Sequence, residues 1–117
     1  MKSNTYLKGH LAEFIALIWL TCKGYLVIRR RFKTRAGEID LIAKRGKYLV
    51  AIEVKARPTL QLGLEAIRPQ QQKRICRALR LFRHRKRWQG LIPRYDAIVI
   101  CPKSWPHHII DVWRETY

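Results

Sequence analysis

The stretch Gly37-Glu38-Ile39-Asp40-Leu41-Ile42-Ala43, then Lys44-Arg45-Gly46-Lys47, then Tyr48-Leu49-Val50-Ala51-Ile52-Glu53-Val54-Lys55 decides how this chain folds. Two runs rich in branched apolar residues flank a basic, glycine-containing turn, which is the pattern of a β-hairpin. Strand side chains alternate between faces, so Glu38 shares a face with Asp40 and Glu53 shares a face with Lys55. Ile39, Leu41, Val50, Ile52 and Val54 take the other face. A turn over residues 44–47 sets Ala43 opposite Tyr48, and therefore Glu38 opposite Glu53 with Asp40 diagonal to it.

Before the hairpin, Thr5 to Lys23 reads as a helix that is apolar on nearly every side, and Gly24 supplies its stop signal. A helix of that kind is expected to be buried by its neighbours. Tyr25 to Phe32 is a strand. After the hairpin, residues 56–68 read as a loop, and Pro69 suits the first turn of a second helix. Ile75, Ala78, Leu79 and Phe82 form the apolar stripe of that helix, while Lys73, Arg77, Arg80, His84 and Arg87 fall on its opposite face. Arg94 to Cys101 and His107 to Trp113 are two last strands. The order of helix, three strands, helix and two strands predicts an α/β protein, a mixed sheet flanked by helices.

The chain has 117 residues and 48% hydrophobic content. That is the size of a single domain over residues 1–117, with no repeat or linker to divide it. Its 25 Lys and Arg against 8 Asp and Glu give a formal charge of +17. Such an excess repels itself unless a polyanion relieves it, and nucleic acid is the expected partner, DNA ahead of RNA. A membrane is not expected, because the apolar run Leu11 to Leu20 contains Glu13 and is about half the ~20 residues a spanning helix needs. Nor does that run resemble an export signal, since Trp19 and Leu20 stand where small residues should precede a cleavage site. Cys22, Cys76 and Cys101 form no C-x-x-C pair and suggest neither a disulfide framework nor a zinc site, so a reducing cytoplasm fits.

Acids are scarce enough that their placement carries information. Three of the 8 lie in the hairpin, where facing carboxylates cost up to ~1 kcal/mol. A cation between them would remove that cost, and hard divalent ions such as Mg²⁺ or Mn²⁺ take one or two carboxylates each. The plainer reading is a solvated strand in which Lys55 pairs with Glu53. Glu13 is similarly two-sided: an acid on a nearly all-apolar helix either serves a site or pairs locally, with His10 as the nearest partner.

Gly37 to Ala43, followed by Ile52-Glu53-Val54-Lys55-Ala56-Arg57, resembles the YraN family, which is grouped with Holliday-junction-resolvase-like endonucleases. Gly9 with Glu13, Gly24-Tyr25, Gly63, Lys73 and Arg94-Tyr95-Asp96 extend the resemblance over roughly residues 5–114. It implies a restriction-endonuclease-like fold with Asp40 and Glu53 as metal ligands, Lys55 as the catalytic lysine and Glu13 as the first-helix acid. It also implies a homodimer acting on branched DNA. Arg29-Arg30 and Lys44-Arg45 depart from the family pattern but leave the proposed metal ligands intact.

In the chemistry this implies, Asp40 and Glu53 hold Mg²⁺ or Mn²⁺ with the Val54 carbonyl as a further oxygen, and Lys55 acts on water and phosphate. Glu38 and Glu13 support the water network. The second helix supplies phosphate contacts through Lys73, Arg77, Arg80, His84 and Arg87. Gln70, Gln71 and Gln72 open that helix as surface residues or as substrate contacts. The four Trp residues read as core, and His107-His108 is not a metal site. The competing functions are a non-catalytic nucleic-acid-binding module of the same fold and a basic structural or ribosome-associated protein.

Overall fold

The computed structural model describes residues 2–115, with side chains described from Gly9 onward. Its elements are α1 (Lys2–Cys22), β1 (Leu26–Lys33), β2 (Glu38–Arg45), β3 (Tyr48–Ala56), α2 (Leu60–Glu65), α3 (Pro69–Arg83), β4 (Ile92–Ile100) and β5 (His107–Trp113). The expected α/β order holds with one correction, since α2 lies inside the stretch read as a loop. Thr59 caps this helix by accepting the Leu62 amide at 3.2 Å, and Gly63 is buried against the Val99 side chain. Six residues are too few for helical periodicity to be legible.

The strands form one five-stranded sheet in the order β1-β2-β3-β4-β5. Only β3 and β4 run parallel, joined by the α2–α3 crossover that a parallel pair requires. Ala16 and Leu20 of α1 pack with Leu41, Ala43, Val50 and Ile52. Ile75, Ala78, Leu79 and Phe82 of α3 pack with Ile42, Leu49, Ala51 and Ala97. Successive residues of β2 and β3 therefore enter opposite clusters, and helices cover both faces of the sheet.

The hairpin register differs from expectation. Arg45 pairs with Tyr48, so the turn is two residues long instead of four. Gly46 occupies its first central position at φ 57°, a left-handed angle that glycine adopts freely. Extending that register sets Asp40, not Glu38, opposite Glu53. The slide is by an even number of residues, so the faces survive it. Ile39 is the exception: it pairs with Phe32 and joins the α3 cluster instead of following Leu41, so the alternation expected to put Glu38 on one face with Asp40 breaks at this end of β2. β1 is irregular at this end, with a register shift between Val27 and Arg29 and a left-handed φ of 49° at Arg31. Such irregularities add twist and re-aim side chains.

Three further expectations are corrected. α1 is not buried all round: Ala12, Ala16 and Leu20 face the sheet, while Leu11, Phe14 and Ile18 are 58%, 50% and 47% exposed. One sheet face can cover only one stripe of a helix. Among the described residues no helix is long and apolar enough to cross a membrane. The second correction concerns α3, which ends at Arg83, so His84 is its C-cap and Arg87 lies in the turns beyond. Of the four Trp residues, Trp113 is buried as expected, but Trp105 is 78% exposed and stacks on Trp19.

Gly37 positions the start of β2 against α3. A Cβ there would come within 2.6 Å of the Arg74 carbonyl oxygen. Gly37→Ala should therefore force backbone apart and destabilise by about 1–3 kcal/mol. The check is urea unfolding, with a lower midpoint at unchanged slope.

Candidate active site

Beyond the Leu41–Ile52 pair, β2 and β3 leave the ladder, and the Asp40 carboxylate replaces it by accepting the Val54 amide at 2.8 Å. This parting opens a cleft of about 510 Å³ at the end of the hairpin. Glu13, Glu38, Asp40, Glu53 and Lys55 all line it. A helix, two strands and the loops between them thus converge five residues that sequence reasoning had grouped by face and resemblance.

Glu53 is the centre of the arrangement. Only 4% of its surface is exposed, although Val54, Lys55 and Ala56 after it on β3 are half-buried. Its Oε2 lies 3.5 Å from Lys55 Nζ and accepts a hydrogen bond from Gln71 Nε2 at the start of α3. Burial pushes its carboxyl up to about 9, the adjacent Asp40 charge and hydrogen bond push in the same direction, and Lys55 pulls back. The Lys55–Glu53 pairing of the plainer reading is therefore present, but it is not the contact of two solvated strand residues.

Glu13 reaches the cleft from α1 with its charge already engaged. Arg31 Nε donates to it at 3.1 Å, His10 lies 4.0 Å away, and Arg31 also contacts His10. The left-handed backbone at Arg31 accompanies this placement; a non-glycine residue held there stores strain that surrounding contacts must support. Arg31 and Lys33 of β1 join Lys55 as cations of the cleft.

Gln71 is the residue whose role sequence reading left open. Its position follows from Pro69 starting α3 just after α2 in the crossover, which aims the first helical turn at Glu53. Three adjacent glutamines were the available signal, but nothing in their spacing distinguished the middle one.

The basic stripe of α3 lies elsewhere. Lys73, Arg77 and Arg80 border a separate groove with Trp113, Arg114 and Glu115, and Arg80 Nη2 is 3.1 Å from Glu115. Only Gln71 of α3 lines the carboxylate cleft. A helix lying over a sheet presents its two flanks to different strands, which the linear stripe does not reveal.

Asp96 and His108 form a second polar cluster, which is structural. Asp96 is fully buried, accepts from Arg94 at 2.8 and 3.0 Å, from the Asp111 amide at 3.0 Å, and lies 2.8 Å from His108 Nε2. Burial opposes its ionisation, but these hydrogen bonds hold its carboxyl below the usual carboxylate range. Arg94 also donates to the Tyr25 hydroxyl at 2.7 Å, so the cluster ties β4 and β5 to the end of α1.

Asp40 and Glu53 present adjacent hard oxygen donors, a set suited to Mg²⁺ or Mn²⁺. Among the described residues no group of three or more His, Cys, Asp and Glu side chains forms a metal cage by itself. An ion at this pair would draw its remaining ligands from backbone oxygen and water, as Mg²⁺ commonly does.

The family model described as "Uncharacterised protein family UPF0102" matches residues 12–100, a span that includes both site strands. A UPF0102 protein of Maricaulis maris is 46% identical over 107 residues, covering 91% of this chain and 84% of the relative. Relatives from Methylobacterium nodulans and Chelativorans sp. are 43% and 42% identical over 110 and 113 residues, covering 93% and 96% of this chain and 85% and 91% of their own lengths. The matched span and these identities leave one conclusion: the chain belongs to the uncharacterised protein family UPF0102.

Proposed function

We propose that the protein is a divalent-metal-dependent endonuclease of the restriction-endonuclease-like superfamily, acting on DNA. The observation that carries this reading is Glu53, a buried carboxylate set beside Asp40 and Lys55 at an open cleft in a chain of charge +17. Burying such a carboxyl beside a second one costs stability, and sites of this kind concentrate where chemistry needs them.

Bound Mg²⁺ or Mn²⁺ would polarise the scissile phosphate and lower the pKa of water. The chain's own groups do the rest. Asp40 and Glu53 would hold the ion, Asp40 being fixed by the Val54 amide and Glu53 by Gln71. The Lys55 ammonium offsets charge that develops on phosphate oxygens, and the cleft cations Arg31 and Lys33 draw the strand backbone in. Glu38 and the Glu13–Arg31 pair shape the water around the site. The basic stripe of α3 adds phosphate contacts outside the cleft. A cytoplasmic location, a homodimer and branched DNA belong to the same reading on the strength of the resemblance, and the three free cysteines accord with the first.

A non-catalytic nucleic-acid-binding module is the second reading, favoured by the Lys55 and Gln71 contacts that satisfy Glu53 without an ion. A panel of duplex, single-stranded, junction and RNA substrates with and without Mn²⁺ separates the two. Metal-dependent cleavage of any DNA substrate is expected. Lys55→Ala should lose that cleavage by at least about a hundredfold while keeping metal-induced stabilisation. Binding without cleavage across the whole panel would replace the enzyme with the module.

A further inference from the structure

A further cation cluster lies outside both the cleft and the α3 groove. Where α3 ends, Arg85, Lys86 and Arg87 follow in consecutive turns and meet Arg29 of β1 around a depression of about 450 Å³. All four are exposed. Among the described residues none of the four forms an ion pair with a carboxylate, whereas Arg31, Arg80, Arg94 and Arg114 all do.

The cluster is built and not merely crowded. Arg85 lies over the Phe82 ring at 4.6 Å and over Phe32 at 5.5 Å, Arg29 lies over Phe32 at 5.5 Å, and Arg87 lies over Trp88 at 5.2 Å. Phe82 and Phe32 are themselves core residues. The turn is pinned by Arg85 N–H to Phe82 O, Trp88 N–H to Arg85 O and Leu91 N–H to Trp88 O, and by the Gln89 side chain on His84 O. Guanidiniums held over aromatic faces lose little freedom when an anion arrives, and their forks match phosphate oxygens. The helix C-terminus opposes an anion with roughly half a negative charge, which four cations outweigh.

We propose that this depression is a second anchor for the phosphodiester backbone of nucleic acid, apart from the cleft. α3 links the two: Gln71 touches Glu53 at one end and Phe82 floors the cluster at the other, ~16 Å away at 1.5 Å per residue. Along a duplex strand that distance is about five phosphates. β1 joins them too, contributing Arg29 to the cluster and Arg31 and Lys33 to the cleft. Trp88 is already stacked on Phe82 at 6.2 Å, so it is not offered to a base. The anchor reads charge and spacing, not sequence. Its position relative to scission rests on the endonuclease reading, but its grip on the backbone does not.

The test uses Asp40→Asn protein, so that any cleavage by the wild type does not consume the probe, and a series of duplexes from shorter than the anchor-to-cleft spacing to several times longer. Arg85→Gln and Arg29→Gln together should weaken long duplexes by tenfold or more and lower the slope of log K against log salt by roughly 1.8, two phosphate contacts' worth. Duplexes too short to reach the cluster should lose little. Lys103→Gln, in the β4–β5 loop, controls for loss of one charge when set against Arg85→Gln alone, and Arg85→Lys should keep most of the affinity if the glutamine variants perturb folding. Unchanged affinity and slope, an equal loss at every length, or an equal loss from Lys103→Gln would overturn the anchor. So would a loss confined to anionic lipid vesicles with DNA binding intact. Length-dependent loss in a protein whose wild type cleaves nothing would uphold the anchor while removing the nuclease reading.

Discussion

Asp40→Asn should leave no detectable metal-dependent cleavage and should abolish the rise in melting temperature that Mn²⁺ produces in the wild type. The amide keeps an oxygen for the Val54 N–H, so the parting of β2 and β3 is preserved. What it removes is one carboxylate of the pair, and with it the oxygen donors that would hold the ion. At a hundredfold excess over Kd, a bound ion stabilises the folded state by about 2.7 kcal/mol. For a chain of this length that is a shift on the order of ten degrees, and the mutant's melting temperature should barely move. Without metal, the mutant should equal or slightly exceed the wild type, because the neutral amide no longer opposes ionisation of Glu53. A mutant that still cuts DNA, or that still gains stability from Mn²⁺, would remove Asp40 from the metal site.

The second large effect is on pH dependence. Glu53 ordinarily titrates at 4.5, but in the fold its carboxyl is pushed up to about 9. The folded state therefore binds a proton that the unfolded chain has released between those values, and folding takes it up. Stability contributed by Glu53 is fully present below pH 4.5 and is lost as pH rises towards 9. Over that window the metal-free protein should lose stability on the order of a few kcal/mol. Glu53→Gln, which mimics the neutral acid, should flatten the profile and be the more stable form at pH 8. Asp96 acts in the opposite sense, contributing stability that disappears only as pH falls below the ordinary carboxylate value of 3.8. Its transition lies outside the Glu53 window. Because an ion needs the carboxylate, metal binding must expel the proton, and Mn²⁺ affinity should climb up to about tenfold per pH unit across the same range. Denaturation midpoints and metal titrations at matched pH values check both statements. A flat wild-type profile would mean that Glu53 is ionised in the fold.

The hairpin was legible because its signal is local. Alternation in Leu41–Ala43 and Tyr48–Lys55 depends on neighbouring residues, and it survives any even slide of register, so the face of Glu53 and Lys55 was readable although the pairing was off by two residues, while the break at Ile39 was not. The slide was decided by Gly46, whose left-handed φ closes a two-residue turn where four residues had been counted. α3 was legible for the same reason, down to Ile75, Ala78, Leu79 and Phe82. α2 was not, because its cap is one Thr59 hydroxyl and its burial rests on Gly63 meeting Val99 on a strand far along the chain.

The amino-acid sequence by itself determined the α/β class, the alternation that sets Glu53 and Lys55 apart from Ile52 and Val54, and the excess of positive charge. These follow from periodicities of two and 3.6 residues and from counting, both of which need only the chain's own order. The tertiary structure decided that Asp40 caps Val54 where the ladder ends, that Arg31 answers Glu13, that Gln71 and not its neighbours holds Glu53, and that the α3 stripe turns away from the cleft. It also decided that α1 keeps one apolar stripe uncovered and that Asp96 is matched by Arg94 and His108. Each of these is a contact between segments remote in sequence. Which partner a side chain meets across that distance is set by how helices and sheet pack in three dimensions, and no local pattern encodes it.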